Sequence, residues 1–317
     1  MLLRRFRVAM LLACTLAFAT AALHAAYPER PVRVVTTEPG TTADFIGRVL
    51  AHRLTGTLGQ QVIIDNRGIV GPEIVAKAQP DGYTLLLYTN PLWLMPLFRD
   101  GVHWSALRDF APIAVIVRTP NIVVVHPSLP VNSMKEFIAY ARAKPGELNY
   151  GSSSTGAANH VAVELFKAMA GVQIVRINYK GGGAAINALI AGQIQLMFAT
   201  AGSVAPHIKS GRLRALAVTT AEPSALVPGL PTVAADVVPG YESASYSVLF
   251  APAKVPAAII ARLNREIVAL LKSNDIREQF FNVGVEAVGS SPAEAAAMIA
   301  SEINNVGRVV KEAQLHE

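Results

Sequence analysis

Short runs of β-branched and apolar residues alternate with longer segments of helical periodicity along most of the chain. Runs of this kind, bounded by Gly, Pro and Asn, predict buried strands, and their alternation with helices is typical of parallel sheets with crossover helices. The 52 % hydrophobic content fits strands that are covered on both faces. We predict strands at 32–36, 62–66, 84–88, 113–118, 122–126, 173–178, 195–199, 213–219 and 246–250.

Helical segments fall between these strands. The first is predicted over 44–58, with Thr41 or Thr42 as its N-cap and Phe45, Val49 and Leu50 on its buried face. Another begins after Ser133. From position 256 to the C-terminus the pattern is mostly helical, and a helical tail of this kind needs a sheet to cover.

The length of the chain and its tail predict two lobes. A chain of 317 residues exceeds the usual size of a single hydrophobic core. We expect the tail to return to the first lobe, which would then consist of residues 26–122 and 246–317, with the second lobe at 123–245. Two crossings, near 118–126 and 240–250, would form a hinge.

The N-terminus has the layout of a signal peptide. Arg4, Arg5 and Arg7 precede an uncharged apolar run from position 8 to 23, which is short for a membrane span. We expect residues 1–25 to be a signal peptide, cleaved near position 25 or 26, and the mature protein to be periplasmic. Cys14 lies in a segment that resembles a lipoprotein cleavage box, so a lipid-anchored form is an alternative.

Charge and residue chemistry exclude several function classes. Without the three leader arginines, the chain has 25 basic and 22 acidic residues. It contains no block of basic residues of the kind that would indicate nucleic-acid binding. The histidines have no metal-ligand spacing, and Cys14 is the only cysteine. The segment 151–156 fails the hydrolase elbow pattern because Thr155 stands at its second glycine. We therefore expect no metal, no cofactor and no catalytic residues.

Glycine and hydroxyl residues cluster where predicted strands pass into helices. Segments 37–42, 67–71 and 89–90 follow strands of the first lobe, and segments 152–155 and 200–203 follow strands of the second. Because parallel strands end at one edge of a sheet, these loops aim backbone N–H groups at one place. The sequence predicts a ligand cleft between the lobes that is lined by hydrogen-bond donors.

Several sequence segments, taken in their order along the chain, resemble those of a known family of receptors. They include Tyr-Pro-Glu-Arg-Pro-Val at 27–32, Lys-Ala-Gln-Pro-Asp-Gly-Tyr-Thr-Leu at 77–85, Lys-Pro-Gly-Glu-Leu-Asn-Tyr at 144–150 and Leu-Arg-Ala-Leu-Ala-Val-Thr at 213–219. In their order and spacing, the chain resembles the Bug-type extracytoplasmic solute receptors of the tripartite tricarboxylate transporter group over nearly its whole mature length.

The resemblance implies a two-lobe α/β fold of the type II periplasmic binding-protein class (a venus flytrap), with a small ligand, expected to be a carboxylate, held between the lobes of a monomer. It implies membrane permease subunits as partners and no catalysis. Two alternatives remain: a subunit that presents its closed form to a sensor kinase, and an enzyme on the same fold with His160 or Asp44 as base. The ligand-binding positions that the resemblance implies are Thr37, Gly40, Thr41, Asp44, Asn66, Asn90, Ser152, Ser153, Thr155, Asn159, His160, Tyr179 and Thr200.

Glu38 departs from the family pattern at the first loop. A carboxylate about 4 Å from a ligand carboxylate would cost on the order of 4 kcal/mol at an effective dielectric constant near 20. We therefore expect Glu38 to point into solvent.

Overall fold

A computed structural model of the chain describes residues 27–152 and 157–312. The predicted signal peptide and Cys14 lie outside these residues. The strands are β1 (Val32–Thr36), β2 (Val62–Asn66), β3 (Thr84–Thr89), β4 (Phe110–Val125), β5 (Asn149–Ser152), β6 (Val175–Asn178), β7 (Leu196–Thr200), β8 (Arg214–Val218), β9 (Ala244–Pro252) and β10 (Glu286–Ala287).

Helices connect these strands and cover them. They are α1 (Thr42–Leu58), α2 (Gly71–Ala76), α3 (Pro91–Phe98), α4 (Met134–Ala143), α5 (Ala158–Ala170), α6 (Gly182–Ile190), α7 (Ala201–Lys209), α8 (Val233–Asp236), α9 (Ala257–Leu271), α10 (Asn274–Asn282) and α11 (Pro292–Glu312). Within the described residues, no helix is long and apolar enough to cross a membrane.

The first sheet contains the parallel neighbours β2, β1 and β3, followed by antiparallel β9 and the first part of β4. Alternate residues of its strands face opposite sides, as the two-residue period of a strand requires. Val34 packs with α1 and α9 on one face, whereas Val35 packs with α3 and α11 on the other. The C-terminal helices therefore cover the first sheet, and this sheet is buried between two helical layers.

The second sheet is built in the same way. β5 pairs in parallel with β6 and β7, and the last part of β4 runs antiparallel to β7 and β8. Val123 packs with α4 and α5 on one face, and Val124 packs with α6 and α7 on the other. The fold is thus α/β, with helices on both faces of each sheet and one strand, β4, common to both.

Strand β4 corrects one sequence-based prediction. We predicted two strands, 113–118 and 122–126, separated by Thr-Pro-Asn. The structure has a single strand, Phe110–Val125, in which Pro120 lies opposite Ala244 of β9 and Asn121 lies opposite Thr200 of β7. Pairing with partners from two sheets keeps this segment extended. The change of partner lies beside the lobe boundaries that we predicted at 122/123 and 245/246, and those boundaries stay a prediction.

The sequence patterns predicted some features of the strands and helices correctly and missed others. β1 and β2 have the predicted bounds, and Thr41 caps α1 through its hydroxyl, which accepts from Asp44 N. The prediction for Phe45 is wrong: its side chain is exposed, and Ile46 occupies the buried face with Leu50. The short strands β5 and β10 were not predicted, because two to four residues carry too little periodicity.

A buried polar cluster joins α11 to α3 and β9. Glu302 accepts hydrogen bonds from Trp93 Nε1 at 2.6 Å and from Asn90 Nδ2 at 3.0 Å. Asn90 also accepts from Tyr246 N at 2.8 Å and donates to Ala244 O at 3.1 Å. Desolvation raises the pKa of Glu302 to about 7, and the Glu242 carboxylate adds to the increase. The charge of Glu302 is therefore disfavoured in the folded state.

This cluster predicts a pH-dependent stability. Because the pKa of Glu302 is higher in the folded than in the unfolded protein, its contribution is full near pH 4.5 and is lost as the pH rises through about 7. Glu302→Gln keeps an acceptor for Trp93 and removes the titration. Above pH 7 the variant should be more stable than the original protein by at least about 1 kcal/mol, with little difference near pH 4.5, as measured by urea unfolding across this range.

The control for this experiment is Glu278→Gln on the exposed side of α10, which should change stability equally at all pH values. A Glu302→Gln effect that is also constant with pH would contradict the assignment of the titration to this carboxyl group.

Candidate functional site

The parallel strands of the first sheet end at one edge, and their loops are joined by hydrogen bonds. Arg67 N donates to Thr36 O at 2.9 Å, and Asn66 Nδ2 donates to Thr37 O at 2.8 Å. The hydroxyl groups of Thr37 and Thr41 are 2.7 Å apart. The loops after β1 and β2 therefore form one connected group at the carboxyl edge of the sheet.

Asp44 organises this group from the first turn of α1. Its side chain is 5 % exposed and accepts hydrogen bonds from Gly40 N and Asn66 Nδ2, each at 2.9 Å. Arg48 forms an ion pair with it at 2.9 Å. Burial by itself raises the pKa of Asp44, but the hydrogen bonds from Asn66, Gly40 and Arg48 outweigh it, so the pKa lies below its ordinary value. The carboxylate is thus ionised and satisfied within the loop.

Glu38 is exposed at the tip of the same loop. Its carboxylate lies against Gly68, where a Cβ atom would come within 2.2 Å of Glu38 Oε1. Gly68 also has a positive φ of 54°, a backbone conformation that favours glycine. The hydroxyl of Tyr88 donates to Gly68 O at 3.2 Å, and burial, together with the Glu38 charge, raises the pKa of Tyr88 to about 12. Glu38 is exposed to solvent, and its orientation away from the ligand stays a prediction.

A cavity of about 520 Å³ opens at the corresponding edge of the second sheet. We call it the β4–β7 cavity, after the two strands that contribute to it. No Asp, Glu, Lys or Arg is among its described lining residues. These are Asn121, Ala157, Ala158, Asn159, Gly182, Gly183, Ile186, Asn187, Met197, Ala199, Thr200, Ser203, His207 and Ser245.

Three helices begin at this cavity. α5 starts at Ala158, α6 at Gly182 and α7 at Ala201, and none of the three has a hydrogen bond from an N-cap side chain. The first N–H groups of a helix have no acceptor within the helix, and its N-terminus carries a partial positive charge. The N-termini of α1 and α4 are capped by Thr41 and Ser133, whereas α2, α3, α9 and α10 also lack such a bond. The distinguishing feature of this cavity is that three such N-termini meet there. The cavity therefore has the properties of an anion site built from backbone groups.

The chain is similar to known receptors over most of its length. Residues 46–315 match the family described as "Tripartite tricarboxylate transporter family receptor". This chain belongs to that family. Protein BugT of Bordetella pertussis is 34 % identical over 293 residues, which is 90 % of each protein. A protein of Pseudomonas sp. (strain P51), encoded in the tcbD–tcbE intergenic region, is 31 % identical over 99 % of this chain and 95 % of its own length.

Solved structures agree with this assignment. An R. palustris protein determined with adipate is 36 % identical, covers 90 % of this chain and 97 % of its own, and superposes with a TM-score of 0.73. MatC from Rhodopseudomonas palustris with bound malate is 26 % identical, covers 90 % and 100 % of the two chains, and has a TM-score of 0.70. The chain therefore has the type II periplasmic binding-protein fold of a solute receptor.

Eight of the receptor's predicted ligand-binding residues fall into three groups. Asn159 and Thr200 line the β4–β7 cavity. A second group consists of Thr37, Gly40, Thr41, Asp44 and Asn66, which form the hydrogen-bonded loops at the edge of the first sheet. Asn90 is buried in the cluster with Glu302. The ligand contacts themselves stay a prediction.

Of the other predicted residues, Ser152 and Tyr179 lie at the carboxyl end of β5. Ser152 is fully buried, with its hydroxyl 2.7 Å from Arg176 Nε, and its carbonyl accepts from Tyr179 N at 2.9 Å. His160 is 1 % exposed and its ring lies 6.1 Å from that of Phe98. Ser153 and Thr155 lie outside the described residues.

Four polar residues of the receptor's cavity lie outside the predicted cleft loops and were missed: Asn121, Asn187, His207 and Ser245. Asn121 and Ser245 lie on β4 and β9, far apart in sequence from the loops that we considered, and His207 lies in the last turn of α7. The sequence-based strands ended at 118 and began again at 122, so Asn121 was expected between two strands rather than within one. Only the antiparallel pairing of β4 with β7 and β9 brings these side chains to one cavity, so the sequence carried no local signal for them.

A larger cavity, of about 650 Å³, lies between α4, α5 and α11. Basic side chains at its rim are Lys135, Arg142 and Arg308. No strand-end loop lines it. Strand ends and helix N-termini meet instead at the smaller β4–β7 cavity.

The loop geometry of the receptor predicts the effect of Asp44→Asn. The variant loses one acceptor and places an N–H group toward Gly40 N or Asn66 Nδ2, so it should lose about 1–3 kcal/mol of stability at neutral pH. Since the pKa of Asp44 is lowered in the folded state, the difference should shrink as the pH falls below 3.8. Chemical unfolding at pH 7 and pH 3 measures both effects.

The matched control is Glu38→Gln at the exposed tip of the same loop, for which we expect a change within about 0.5 kcal/mol. Equal stability of the two variants at pH 7 would contradict the organising role of Asp44.

Proposed function

We propose that this receptor binds a small carboxylate at the β4–β7 cavity and delivers it, chemically unchanged, to membrane permease subunits. The observation that carries the proposal is the meeting of three uncapped helix N-termini at one cavity whose described lining has no charged side chain. An anion at this place gains from the helix dipoles and from unpaired N–H groups. No acidic side chain in that lining opposes it.

The magnitude of these contributions is sufficient for a receptor. Hydrogen bonds to a charged acceptor contribute roughly 1.5–3 kcal/mol each. A micromolar complex requires about −8 kcal/mol, which four or five such bonds can supply.

The ligands of two relatives support a carboxylate. The R. palustris structure contains adipate and the MatC structure contains malate, and both ligands carry two carboxylates. The permease partners follow from the name of the family, whose receptors serve tripartite tricarboxylate transporters.

Capture would proceed by closure of two lobes, divided at 122/123 and 245/246 as we predicted. Loops of the first sheet, organised by Asp44, would then close over a ligand held at the second. Contacts that form only in the closed state would drive closure. β4 and β9, which connect the lobes in this proposal, would serve as the hinge.

In this proposal the protein is exported and does not act as an enzyme. Residues 1–25 would direct the chain to the periplasm and would be removed there. The bases that an enzyme on this fold would use are engaged elsewhere: Asp44 is bonded to its own loop, and His160 is buried beside Phe98. Turnover of a bound ligand would contradict this part of the proposal.

A carboxylate side chain placed in the cavity should compete with the ligand. A Cβ atom on Gly183 meets no atom within 4 Å, so Gly183→Asp should fold and place an anion at the N-terminus of α6. Repulsion on the order of 4 kcal/mol at 4 Å should weaken carboxylate binding at least tenfold in calorimetry on the leaderless protein, with a panel of mono-, di- and aromatic carboxylates.

A matched control is Ala257→Asp, which puts the same charge at the exposed N-terminus of α9. This variant should bind as the original protein does. Failure of every carboxylate in the panel to bind the original protein would overturn the proposed function, and full binding by Gly183→Asp would overturn the assignment to this cavity.

A further inference from the structure

Buried polar atoms without a hydrogen-bond partner concentrate at the β4–β7 cavity. Within residues 27–152 and 157–312, Asn121 Nδ2, Asn121 Oδ1 and His207 Nδ1 are such atoms. Both residues line this cavity. Folded proteins pair the large majority of their buried polar side-chain atoms, because an unpaired one is costly. Unpaired groups at one cavity therefore point to a ligand that hydrogen-bonds there.

The position of Asn121 is fixed by its backbone. Its N–H donates to Thr219 Oγ1 at 3.1 Å, and its carbonyl accepts from Thr219 N at 3.0 Å. It lies opposite Thr200 in the β4–β7 pair, so the two side chains share one face of the sheet. The residue is 1 % exposed. A ligand group that reached the amide would hydrogen-bond there without competition from bulk water.

The two atoms of the amide require different partners. Nδ2 donates and Oδ1 accepts. A carboxylate accepts from Nδ2, but it offers nothing to Oδ1 and repels it. An ammonium group would satisfy Oδ1, but no Asp or Glu is among the described residues of the cavity lining to balance its charge. A hydroxyl group is neutral and both donates and accepts, so it satisfies the amide at either atom.

We propose that the receptor selects carboxylates with a hydroxyl group beside the carboxylate, and that Asn121 determines this specificity by hydrogen-bonding the hydroxyl. The inference rests on the proposed function, since it assumes that a carboxylate occupies the β4–β7 cavity. In this arrangement the carboxylate lies at the helix N-termini, and the hydroxyl lies at Asn121. His207 Nδ1, which donates or accepts according to its tautomer, is a second partner for the same group.

Pairs of ligands that differ only in one hydroxyl group test the proposal. We would measure dissociation constants of the leaderless protein by calorimetry for propanoate and lactate, succinate and malate, adipate and 2-hydroxyadipate, and phenylacetate and mandelate. In the pair that binds best, the hydroxy acid should bind at least tenfold more tightly, which corresponds to about 1.4 kcal/mol. Aspartate, the amino counterpart of malate, should bind more weakly than malate.

Substitution of Asn121 separates a specificity role from a structural one. Asn121→Leu removes both unpaired atoms at similar volume, so the melting temperature of the ligand-free protein should rise while the preference for the hydroxy acid falls to about onefold. A structural asparagine would instead give a lower melting temperature and an equal loss for both members of a pair. Asn304→Leu, at an exposed position of α11, should leave the preference unchanged.

The outcomes distinguish this inference from the proposed function. Absence of binding by every acid overturns the proposed function and the inference with it. Binding of both members of each pair with equal affinity overturns only the hydroxyl preference. A preference that persists in Asn121→Leu overturns the role of Asn121, and the comparison of the paired acids in the original protein remains decisive if that variant does not fold.

Discussion

Strand β4 hydrogen-bonds with both sheets, and the place where it changes partners determines where the site lies. Up to Pro120 it pairs with β9, and from Asn121 it pairs with β7 and β8. This continuous backbone connection sets Asn121 beside Thr200, the last residue of β7, and close to the first residues of β9. A change in the register of β4 by one residue would turn Asn121 to the opposite face of the sheet.

Charged side chains at the first sheet are paired with one another, and no Asp, Glu, Lys or Arg is among the described lining residues of the β4–β7 cavity. At the first sheet, Asp44 pairs with Arg48, and Asp65 pairs with Arg33. These charges stabilise the loops and are already neutralised by their partners. The β4–β7 cavity offers an anion partial charges and hydrogen-bond donors instead. Backbone donors are fixed by the helices to which they belong, so little rearrangement is needed when the ligand arrives.

Two buried asparagines, Asn90 and Asn121, differ in how well their side chains are hydrogen-bonded. Asn90 uses both ends of its amide, with Glu302, Ala244 and Tyr246 as partners. Asn121, on β4, uses neither. In proteins, buried polar side chains that lack hydrogen-bond partners are expected mainly at functional positions. The contrast between two buried asparagines thus separates a residue that holds the fold together from one that is available to a ligand.

The sequence by itself determined the strands β1 and β2, the Thr41 and Ser133 caps and the α/β class, because these depend on a two-residue period, a capping hydroxyl and the alternation of elements, all of which are local. It also placed Thr200 at the end of a strand, whereas Asn159 came from the family resemblance. Only the tertiary structure decided that β4 is continuous, that Phe45 is exposed, and that Asn121 joins Ser245 and His207 at one cavity. Those features depend on the pairing of strands that lie far apart in sequence, which no local pattern records.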